Sequence, residues 1–494
     1  MGNARSAVPA IEHAKRFFIG GEWVSPSSEG VFEVIDSCTK EVFVEVAAAN
    51  PTDMSNAAAA ARDAFDRGPW PRMPHAERAQ YLRAIGDGLL ARSSDLAQLW
   101  TRESGVLYAI ARDAGKDGSN IFNYYASLAD TFEFAKPQTP TFGEFGLLVR
   151  EPVGVVGAVI PWNSPMRLIG YKVAPALIAG CTVVLKSSPE APAEAYVLAE
   201  VAKSVGLPAG VLNVVTADRH VSEQLVEDSR IDKITFTGST AAGRRIGAIC
   251  AERVARCTLE LGGKSAAVVL DDIDIARTAR VLARQECILS GQACSSLTRV
   301  IVTSKRHDEM LEALASEFTR IVVGDPFDAE TQIGPLVSER QRAQVEHYIA
   351  AGKSGGATLA AGGQRPHHLN CGYYIEPTVF GHVDNSSVIA QEEIFGPVLS
   401  VIPAVNEEHA VELANDTIYG LNASVFTNDL ERAADVAARL RSGTVGHNAF
   451  RTDFGIAFGG FKQSGIGREG GTEGLLPFLE TKTVILAGRP PSYE

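Results

Sequence analysis

Cys294 is the residue of this sequence best suited to act as a nucleophile. It follows a run of small and polar residues, Ser-Gly-Gln-Ala at 290–293, which lies between the apolar segments 287–289 and 300–302. Small neighbours let a substrate approach the sulfur closely, and the apolar segments can hold it in place. Because the thiolate is the reactive form, this chemistry requires a lowered pKa or a nearby base. For Cys294 alone, a small buried side chain without a reactive role is the alternative.

Two further residues have side chains that suit the chemistry of a nucleophilic cysteine. Glu260 lies between two leucines and precedes two glycines. Apolar surroundings raise the pKa of a carboxyl group, which suits a general base near neutral pH. Asn163 lies in a loop between two prolines, and its neutral amide can stabilise an oxyanion. Taken singly, an exposed glutamate at a strand end and a turn asparagine explain these residues equally well.

A turn at residues 236–243, with the sequence Phe-Thr-Gly-Ser-Thr-Ala-Ala-Gly, is a candidate phosphate site. It lies where a predicted strand ends and a helix begins. Free backbone N–H groups and the helix dipole can therefore hold an anion near Gly238 and Ser239. A plain N-cap turn is the alternative. The stretch 259–265 is not a P-loop, because Thr258 occupies the position of that motif's first glycine.

The candidate residues are positioned by a region in which strands and helices alternate. Strict alternation between residues 154 and 254 predicts βαβ crossovers and a parallel sheet covered on both faces. Ligands bind such sheets beyond the carboxyl ends of the strands, where Asn163, Lys186 and Gly238 lie. Strands are predicted at 17–24, 42–46, 154–160, 182–186, 211–215, 233–236, 299–303, 396–405, 423–427 and 482–486. Helices are predicted at 53–64, 76–103, 107–135, 167–179, 191–205, 221–228 and 241–254.

Length, charge and cysteine content limit the class of protein. A chain of 494 residues is too long for one core, so two or three domains are expected. A formal net charge of −13 argues against a nucleic-acid or anionic-membrane partner. Seven cysteines, without a signal-peptide pattern or a long apolar run, predict free thiols in the cytoplasm. No spacing predicts a metal site, and His367, His368 and Cys371 are predicted to lie in a surface loop.

Taken in order, these motifs resemble those of the aldehyde dehydrogenase superfamily over essentially the whole chain. The most specific are Glu-Leu-Gly-Gly-Lys at 260–264, Gly-Gln-Ala-Cys at 291–294 and the 34-residue separation of Glu260 from Cys294. The other matching positions are Asn163, Lys186, the turn at Gly238 and Ser239, Glu-Glu-Ile-Phe-Gly-Pro at 392–397 and Phe-Gly-Gly-Phe-Lys-Gln-Ser-Gly at 458–465.

The resemblance implies oxidation of an aldehyde to a carboxylic acid in two half-reactions. Cys294 attacks the carbonyl and passes through a thiohemiacetal to a thioester. The Asn163 amide and the Cys294 backbone N–H hold the oxyanion, and Glu260 activates the water that hydrolyses the thioester. Lys172 matches a lysine near the proton path of such enzymes.

The resemblance also implies a set of contacts with NAD. Lys186 is expected at the adenine ribose and Gly238 near the nicotinamide side. The remaining implied contacts are Ser239 and Trp162 with the pyrophosphate, Glu393 with the nicotinamide ribose, and Phe395 beside it.

Three positions depart from the family pattern. Relatives that prefer NAD often carry a glutamate three residues after the lysine equivalent to Lys186, and Pro189 is found there instead. Either Glu190, one residue later, takes over the ribose contact or the discrimination is relaxed, so NAD is favoured and NADP stays open. Ser164 and Tyr171 replace residues that are often a bulky aromatic and a tryptophan, which predicts a wider tunnel and a bulkier or longer aldehyde.

The resemblance implies an α/β protein with three parts. They are a Rossmann-like cofactor domain at 1–136 and 152–261, a catalytic α/β domain at 262–465, and a small β oligomerisation element at 137–151 and 466–494. Exposed strand edges in this element predict a homodimer or homotetramer.

Two other activities use a reactive cysteine. A CoA-acylating semialdehyde dehydrogenase typically lacks the glutamate equivalent to Glu260, so the presence of Glu260 argues against it. A cysteine-dependent esterase or hydrolase needs a histidine partner, and none of the 10 histidines falls in the motifs around Cys294 or Glu260.

Overall fold

A computed structural model describes residues 8–491 and shows an α/β protein with several sheets. Residues 1–7 and 492–494, which belong to the predicted cofactor domain and tail, lie outside the described range. The α-helices are α1 (Pro51–Asp66), α2 (His75–Ala91), α3 (Ser93–Ser104), α4 (Tyr108–Ala111), α5 (Ala114–Thr131), α6 (Pro165–Ala179), α7 (Ala193–Ser204), α8 (Arg219–Glu227), α9 (Thr240–Glu252), α10 (Ile275–Glu286), α11 (His307–Thr319), α12 (Glu339–Ser354), α13 (Val388–Gln391), α14 (Glu407–Asn415) and α15 (Leu430–Arg439).

The strands follow the alternation that the sequence predicts between residues 154 and 254, and they extend through the rest of the chain. They are β1 (Phe17–Ile19), β2 (Glu22–Val24), β3 (Val31–Ile35), β4 (Val42–Ala47), β5 (Ala135–Gln138), β6 (Phe145–Pro152), β7 (Val155–Val159), β8 (Thr182–Ser187), β9 (Leu212–Thr216), β10 (Lys233–Thr237), β11 (Arg256–Glu260), β12 (Ala266–Val269), β13 (Arg299–Thr303), β14 (Thr358–Ala361), β15 (Thr378–Gly381), β16 (Val398–Ala404), β17 (Asn422–Phe426), β18 (Thr444–His447), β19 (Gly465–Ile466) and β20 (Leu479–Leu486).

The first large sheet has the order β19-β11-β10-β7-β8-β9-β1-β2 within the described residues. Its five central strands are parallel, as predicted, and they are buried because helices cover both faces. The edges differ from the prediction, since β19 and the β1–β2 hairpin join antiparallel. The register sets Thr237 beside Glu260, so the carboxyl ends of β10 and β11 lie together.

The second large sheet has the order β14-β15-β16-β13-β12-β17-β18. All its pairings are parallel except that of β14, an antiparallel edge strand. Apolar side chains of its two faces form separate core clusters. The chain segment that carries Cys294 leads into β13 and is therefore fixed to this sheet.

A small sheet of β20, β6 and β5 joins the tail to residues 135–152. The predicted tail strand at 482–486 is confirmed and begins earlier, at Leu479. Strand β20 is an edge strand in this sheet, and Ile485 on it is exposed. The α/β fold with a Rossmann-like part, a second α/β part and a small β element is confirmed. The domain boundaries stay a prediction.

Three predicted elements are interrupted in the structure. The strand predicted at 17–24 is a hairpin, because Gly20 and Gly21 form its turn. The helix predicted at 76–103 is two helices that meet at Arg92, and the helix predicted at 107–135 ends at Thr131. No helix within residues 8–491 is both long and apolar enough to cross a lipid bilayer.

Candidate active site

A cavity of about 300 Å³ lies between the two large sheets and brings together the residues that the sequence singled out for chemistry. Cys294 enters it from the segment before β13, and Glu260 from the end of β11. Asn163 enters it from the loop between β7 and α6. We call this space the cysteine cavity. Three side chains from distant parts of the chain therefore line one cavity.

The segment before Cys294 holds a strained backbone conformation. Leu289, Ser290 and Gly291 have φ values of 53°, 55° and 71°, in the left-handed region that favours glycine. A Cβ at position 291 would lie 2.4 Å from the carbonyl carbon of Gly396, so a side chain does not fit there. The Gln292 carboxamide holds the segment, since it donates to Leu289 O at 3.1 Å and accepts from Val337 N at 3.0 Å.

The two glycines after Glu260 explain how β11 approaches Cys294. A Cβ at Gly262 would lie 2.4 Å from Glu393 Oε2, and one at Gly263 would lie 2.3 Å from the Cys294 carbonyl oxygen. Only residues without a side chain allow this approach. The two glycines of the Glu-Leu-Gly-Gly motif thus let the end of β11 pass closely between Glu393 and Cys294.

The surroundings of Cys294 act on the pKa of its thiol in two opposite directions. Burial raises the pKa of the Cys294 thiol, and Glu393 and Glu260 raise it further. The backbone N–H groups of Cys294 and Ser295 oppose this rise. These two N–H groups therefore favour negative charge at the sulfur.

Asn163 is held beside the segment of Cys294. Its Nδ2 donates to Gln292 O at 3.0 Å, and its own carbonyl accepts from Trp100 Nε1 at 3.1 Å. Ser104 Oγ donates to the Trp162 carbonyl at 2.7 Å, so α3 fixes this loop from behind. The side-chain amide is thereby pre-oriented and 8% exposed, toward the cavity. Such a fixed, neutral donor suits an oxyanion.

Glu260 is 2% exposed, and neither carboxylate oxygen has a hydrogen-bond partner among the described residues. Burial raises the pKa of Glu260 well above its usual range, and Glu469 raises it further, while Lys172 and Arg468 oppose the rise. This agrees with the direction predicted from its apolar neighbours. A buried carboxyl group whose oxygens have no protein partner can take a proton from a water molecule.

Lys172 does not line the cysteine cavity; it lies behind it, fully buried, in a salt bridge with Glu469. Glu469 lines the cavity and was not singled out from the sequence. Like Glu260, Glu469 comes shortly before two consecutive glycines, and this shared pattern is the sequence signal for it. The Lys172–Glu469 salt bridge therefore places one positive and one negative charge next to Glu260.

Lys172→Met is expected to lower the free energy of unfolding by about 3–5 kcal/mol, because it leaves Glu469 buried and without its partner. Thermal denaturation followed by circular dichroism measures the loss. The double variant Lys172→Met with Glu469→Gln is expected to recover most of the stability, since it contains no unpaired buried charge. A single variant as stable as the parent protein would contradict this account of the pair.

The other candidate residues surround the part of the cavity beside β10. Trp162 packs edge-on against Phe395, with ring centroids 5.3 Å apart, and both line the cavity with Gly238 and Ser239. Ser239 is the N-cap of α9, and its hydroxyl accepts from Ala242 N at 3.3 Å. The turn is thus a helix N-terminus open to the cavity, as predicted.

Glu393 lies at the same end and accepts from Gly263 N at 3.2 Å. Burial raises the pKa of Glu393 to about 7, while this hydrogen bond and Lys264 lower it. The carboxylate is thus fixed from one side, and Gln341, Phe395 and Gly238 lie around the same space. An acceptor fixed in this way suits a ribose hydroxyl.

A second cavity, of about 450 Å³, lies on the other side of the turn. Its floor is apolar, formed by Phe236, Ile246 and Ile249, and Lys186 and Glu190 lie on its polar rim. We call this space the lysine cavity. Burial lowers the pKa of Lys186 to about 8, and the carboxylates of Glu190 and Asp218 oppose this.

The two cavities together fit a dinucleotide. An apolar slot suits a flat base, and the start of α9 between the cavities suits a pyrophosphate. Glu393 provides an acceptor at the far end. Lys186, Ser239, Trp162 and Glu393 would then hold the cofactor, with Glu190 near its adenine ribose.

A wall of apolar side chains on the cysteine cavity was not singled out from the sequence as a group. Phe454 and Phe458 line the cavity and stack on each other at 4.2 Å between ring centroids. Tyr171 does not line the cavity, but it stacks on Phe454 at 4.4 Å. Leu168 and Phe450 also line the cavity. Several aromatic residues at 450–461 are the sequence signal, but their contact with Tyr171 depends on the fold.

The histidine and cysteine residues outside the two cavities that could bind a metal make hydrogen bonds within the protein. His368 Nε2 contacts Val323 O at 3.1 Å, and Cys371 Sγ donates to Thr39 O at 3.0 Å, so both face backbone carbonyls in exposed loops. Among the described residues, His307, Asp308 and His382 form a group with metal-ligand spacing. His307 Nε2 already accepts from the His382 backbone N–H at 3.0 Å.

The chain is similar to known proteins over nearly its whole length. The aldehyde dehydrogenase family model matches residues 23–484. A geranial dehydrogenase of Castellaniella defragrans is 43% identical over 97% of this chain and 100% of its own length. An aldehyde dehydrogenase of Mycobacterium tuberculosis, solved with NAD+, has a TM-score of 0.93 and 44% identity, covering 96% of this chain and 98% of its own. A mutant aldehyde dehydrogenase C of Pseudomonas syringae, solved with NAD+ and octanal, has a TM-score of 0.94 and 38% identity, covering 98% and 99%.

Proposed function

This chain belongs to the aldehyde dehydrogenase family, and from that premise we propose how its own residues perform the reaction. The protein is an aldehyde dehydrogenase that uses NAD and releases the carboxylic acid. The observation that supports the assignment of roles is the meeting of Cys294, Glu260 and Asn163 in one cavity. Convergence of a thiol, a carboxyl group and an amide from three separate elements matches the needs of this chemistry.

In the first half-reaction Cys294 attacks the aldehyde carbon as a thiolate. The carbonyl oxygen becomes an oxyanion in the thiohemiacetal, and the Asn163 amide and the Cys294 backbone N–H stabilise it. Because donors fixed in a closed site need no reorganisation, they stabilise this charge better than water does. Bound NAD would supply the hydride acceptor for this step. Loss of a hydride from the former aldehyde carbon converts the thiohemiacetal on Cys294 into a thioester.

In the second half-reaction Glu260 removes a proton from a water molecule that attacks the thioester. The C–S bond breaks, the acid leaves, and the proton that Glu260 took from water passes to the Cys294 thiolate. The unpartnered carboxylate oxygens of Glu260 support this role. With coenzyme A in place of water the product would be a thioester, so product analysis with and without coenzyme A distinguishes this reaction from the CoA-acylating alternative.

The substrate we propose is a neutral, apolar aldehyde larger than acetaldehyde. Leu168, Phe454 and Phe458 give the cavity an apolar wall, while Ser164 leaves room where a larger side chain would stand. Arg167 also lines the cavity, but Asp117 pairs with its guanidinium, so it offers little net charge to a substrate. Relatives that are named for geranial or solved with octanal support the same class.

We expect kcat/KM for octanal and geranial to exceed that for acetaldehyde by at least about tenfold, because each buried methylene contributes about 0.8 kcal/mol. Absorbance of the reduced nicotinamide, measured on a panel of aldehydes at saturating NAD, tests this. Betaine aldehyde serves as a cationic control of moderate size. A preference for acetaldehyde over the longer aldehydes would contradict the proposed substrate class.

The cysteine-dependent esterase alternative has a separate test. An esterase would cleave a nitrophenyl ester rapidly and would show no aldehyde-dependent reduction of NAD. Ester cleavage much slower than aldehyde oxidation fits a side reaction of the same thiol.

We also propose that the protein is a homodimer or homotetramer. The edge strand β20 has its free side available for pairing and carries the exposed Ile485. Sedimentation velocity at several concentrations distinguishes a monomer from these assemblies. The cytoplasmic location stays a prediction from the cysteine content.

A further inference from the structure

Glu190 is fully engaged by two neighbours at the rim of the lysine cavity. Its Oε1 accepts from Arg340 Nη2 at 3.1 Å, and its Oε2 accepts from Ser188 Oγ. Arg340 belongs to α12, which packs on the second large sheet, and Glu190 follows β8 of the first. The Arg340–Glu190 pair therefore joins the two parts of the molecule at the rim of the lysine cavity.

Pro189, which lines the lysine cavity just before Glu190, has no charge. Glu190 is the nearest carboxylate along the chain, and Arg340 neutralises it. The Arg340 side chain is 80% exposed, so the ion pair is screened by solvent and weak. Arg340 can therefore change partners at little cost.

The remaining charges around the lysine cavity do not make it negative. Arg245 pairs with Glu223 at 2.6 Å, and Asp218 is the N-cap of α8. Arg219, at the first turn of α8, is exposed and lines the cavity. The lining cations are Lys186, Arg219, Arg245 and Arg340, and the lining carboxylates are Glu190, Asp218 and Glu223.

We propose that Arg340 makes this protein accept NADP as well as NAD, by neutralising Glu190 and donating to the 2′-phosphate beside Lys186. This inference rests on the proposed function, because it assumes that the adenine end of the cofactor occupies the lysine cavity. An arginine is suited to this role since its planar guanidinium donates two parallel hydrogen bonds to a phosphate.

The test measures binding directly by isothermal titration calorimetry of the full-length protein. The ligands are NAD+, NADP+, 5′-AMP and adenosine 2′,5′-bisphosphate, so that the 2′-phosphate is compared with and without the nicotinamide half. Arg340→Gln is expected to raise the ratio of Kd for NADP+ to Kd for NAD+ by about tenfold or more, and the same ratio for the two adenosine fragments. Glu190→Gln is expected to lower both ratios. Arg340→Lys keeps the positive charge but lacks the two parallel N–H donors of the guanidinium. Its two Kd ratios are expected to lie between those of Arg340→Gln and those of the parent.

Arg365→Gln is the matched control. Arg365 pairs with Glu346 on an exposed surface and does not line the lysine cavity, so its loss should leave both ratios unchanged. An equal loss of NAD+ and NADP+ affinity in Arg340→Gln, or no saturable NADP+ binding by a parent protein that binds NAD+, overturns this inference and leaves the proposed function intact. A parent protein that binds neither dinucleotide overturns both.

Discussion

Replacing Cys294 by alanine is expected to lower kcat for aldehyde oxidation by at least about 10³-fold, because no other group in the cavity can form the thioester. The cofactor contacts lie on other elements, so the variant is expected to bind NAD with nearly the parent affinity. Stopped-flow measurement of reduced nicotinamide gives the rate, and calorimetry gives the binding constant. For the parent protein, the raised pKa of the thiol means that the thiolate fraction, and with it the attack on the aldehyde, increases with pH.

Cys287 provides the control for this substitution. It lies just before the strained segment, and its Sγ donates to Ala283 O at 3.3 Å, outside the cysteine cavity. Cys287→Ala should retain parent turnover, and iodoacetamide should inactivate it as it does the parent. Unchanged oxidation in Cys294→Ala would remove Cys294 as the nucleophile, and loss of oxidation in Cys287→Ala alone would assign that role to the other thiol.

The general location of the site could be predicted from the sequence because parallel strands end at one edge of their sheet. Asn163 and Gly238 each follow a buried strand and Lys186 lies at the end of one, so the alternation of strands and helices is sufficient to place them at that edge. Glu260 joins them because β11 is the neighbour of β10 in the same sheet. The alternation of strands and helices therefore predicts which of these residues lie at the same edge of the sheet.

Contacts between the two halves of the molecule could not be predicted in this way. Arg340 and Glu190 are 150 residues apart, one in α12 and the other in the loop after β8, so neither periodicity nor a local motif relates them. The salt bridge of Lys172 with Glu469 depends likewise on how the segment after β19 returns to α6. Charge alone does not reveal such pairs, because most charged residues in a sequence are solvated.

The backbone of the segment before Cys294 is a second feature that composition does not reveal. Small and polar residues predict a loop, but they do not predict consecutive left-handed residues at Leu289 and Ser290. This conformation costs free energy locally, and contacts from Gln292 to Leu289 and Val337 hold it. The surrounding fold thus determines the direction of the nucleophile.

Glu260→Gln is expected to separate the two half-reactions. The amide cannot accept a proton from water, so hydrolysis of the thioester should slow by about 10²–10³-fold while formation of the thioester continues. Rapid mixing of enzyme, NAD and aldehyde should then give a burst of reduced nicotinamide close to one equivalent per active site, followed by slow turnover. Mass spectrometry of the quenched protein should find the acyl group on Cys294.

The control for this variant is another buried glutamate that lies outside the cysteine cavity. Burial raises the pKa of Glu286 to about 8, so at neutral pH its carboxyl group is mostly protonated and Glu286→Gln is nearly isosteric. It should turn over like the parent and show no acyl adduct. A Glu260→Gln variant that loses the burst together with turnover would place Glu260 before the thioester instead of after it.

The pH dependence of hydrolysis gives an independent measure of the same role. Burial and the Glu469 carboxylate raise the pKa of Glu260, so the basic form accumulates only as the pH rises above the usual range of a carboxyl group. The hydrolysis rate of the parent is therefore expected to increase with pH through that pKa and then level off. In Glu260→Gln the increase should be absent, because the titrating base is gone. A parent profile that is flat from acidic to alkaline pH, with hydrolysis rate-limiting, would mean that Glu260 is not the base.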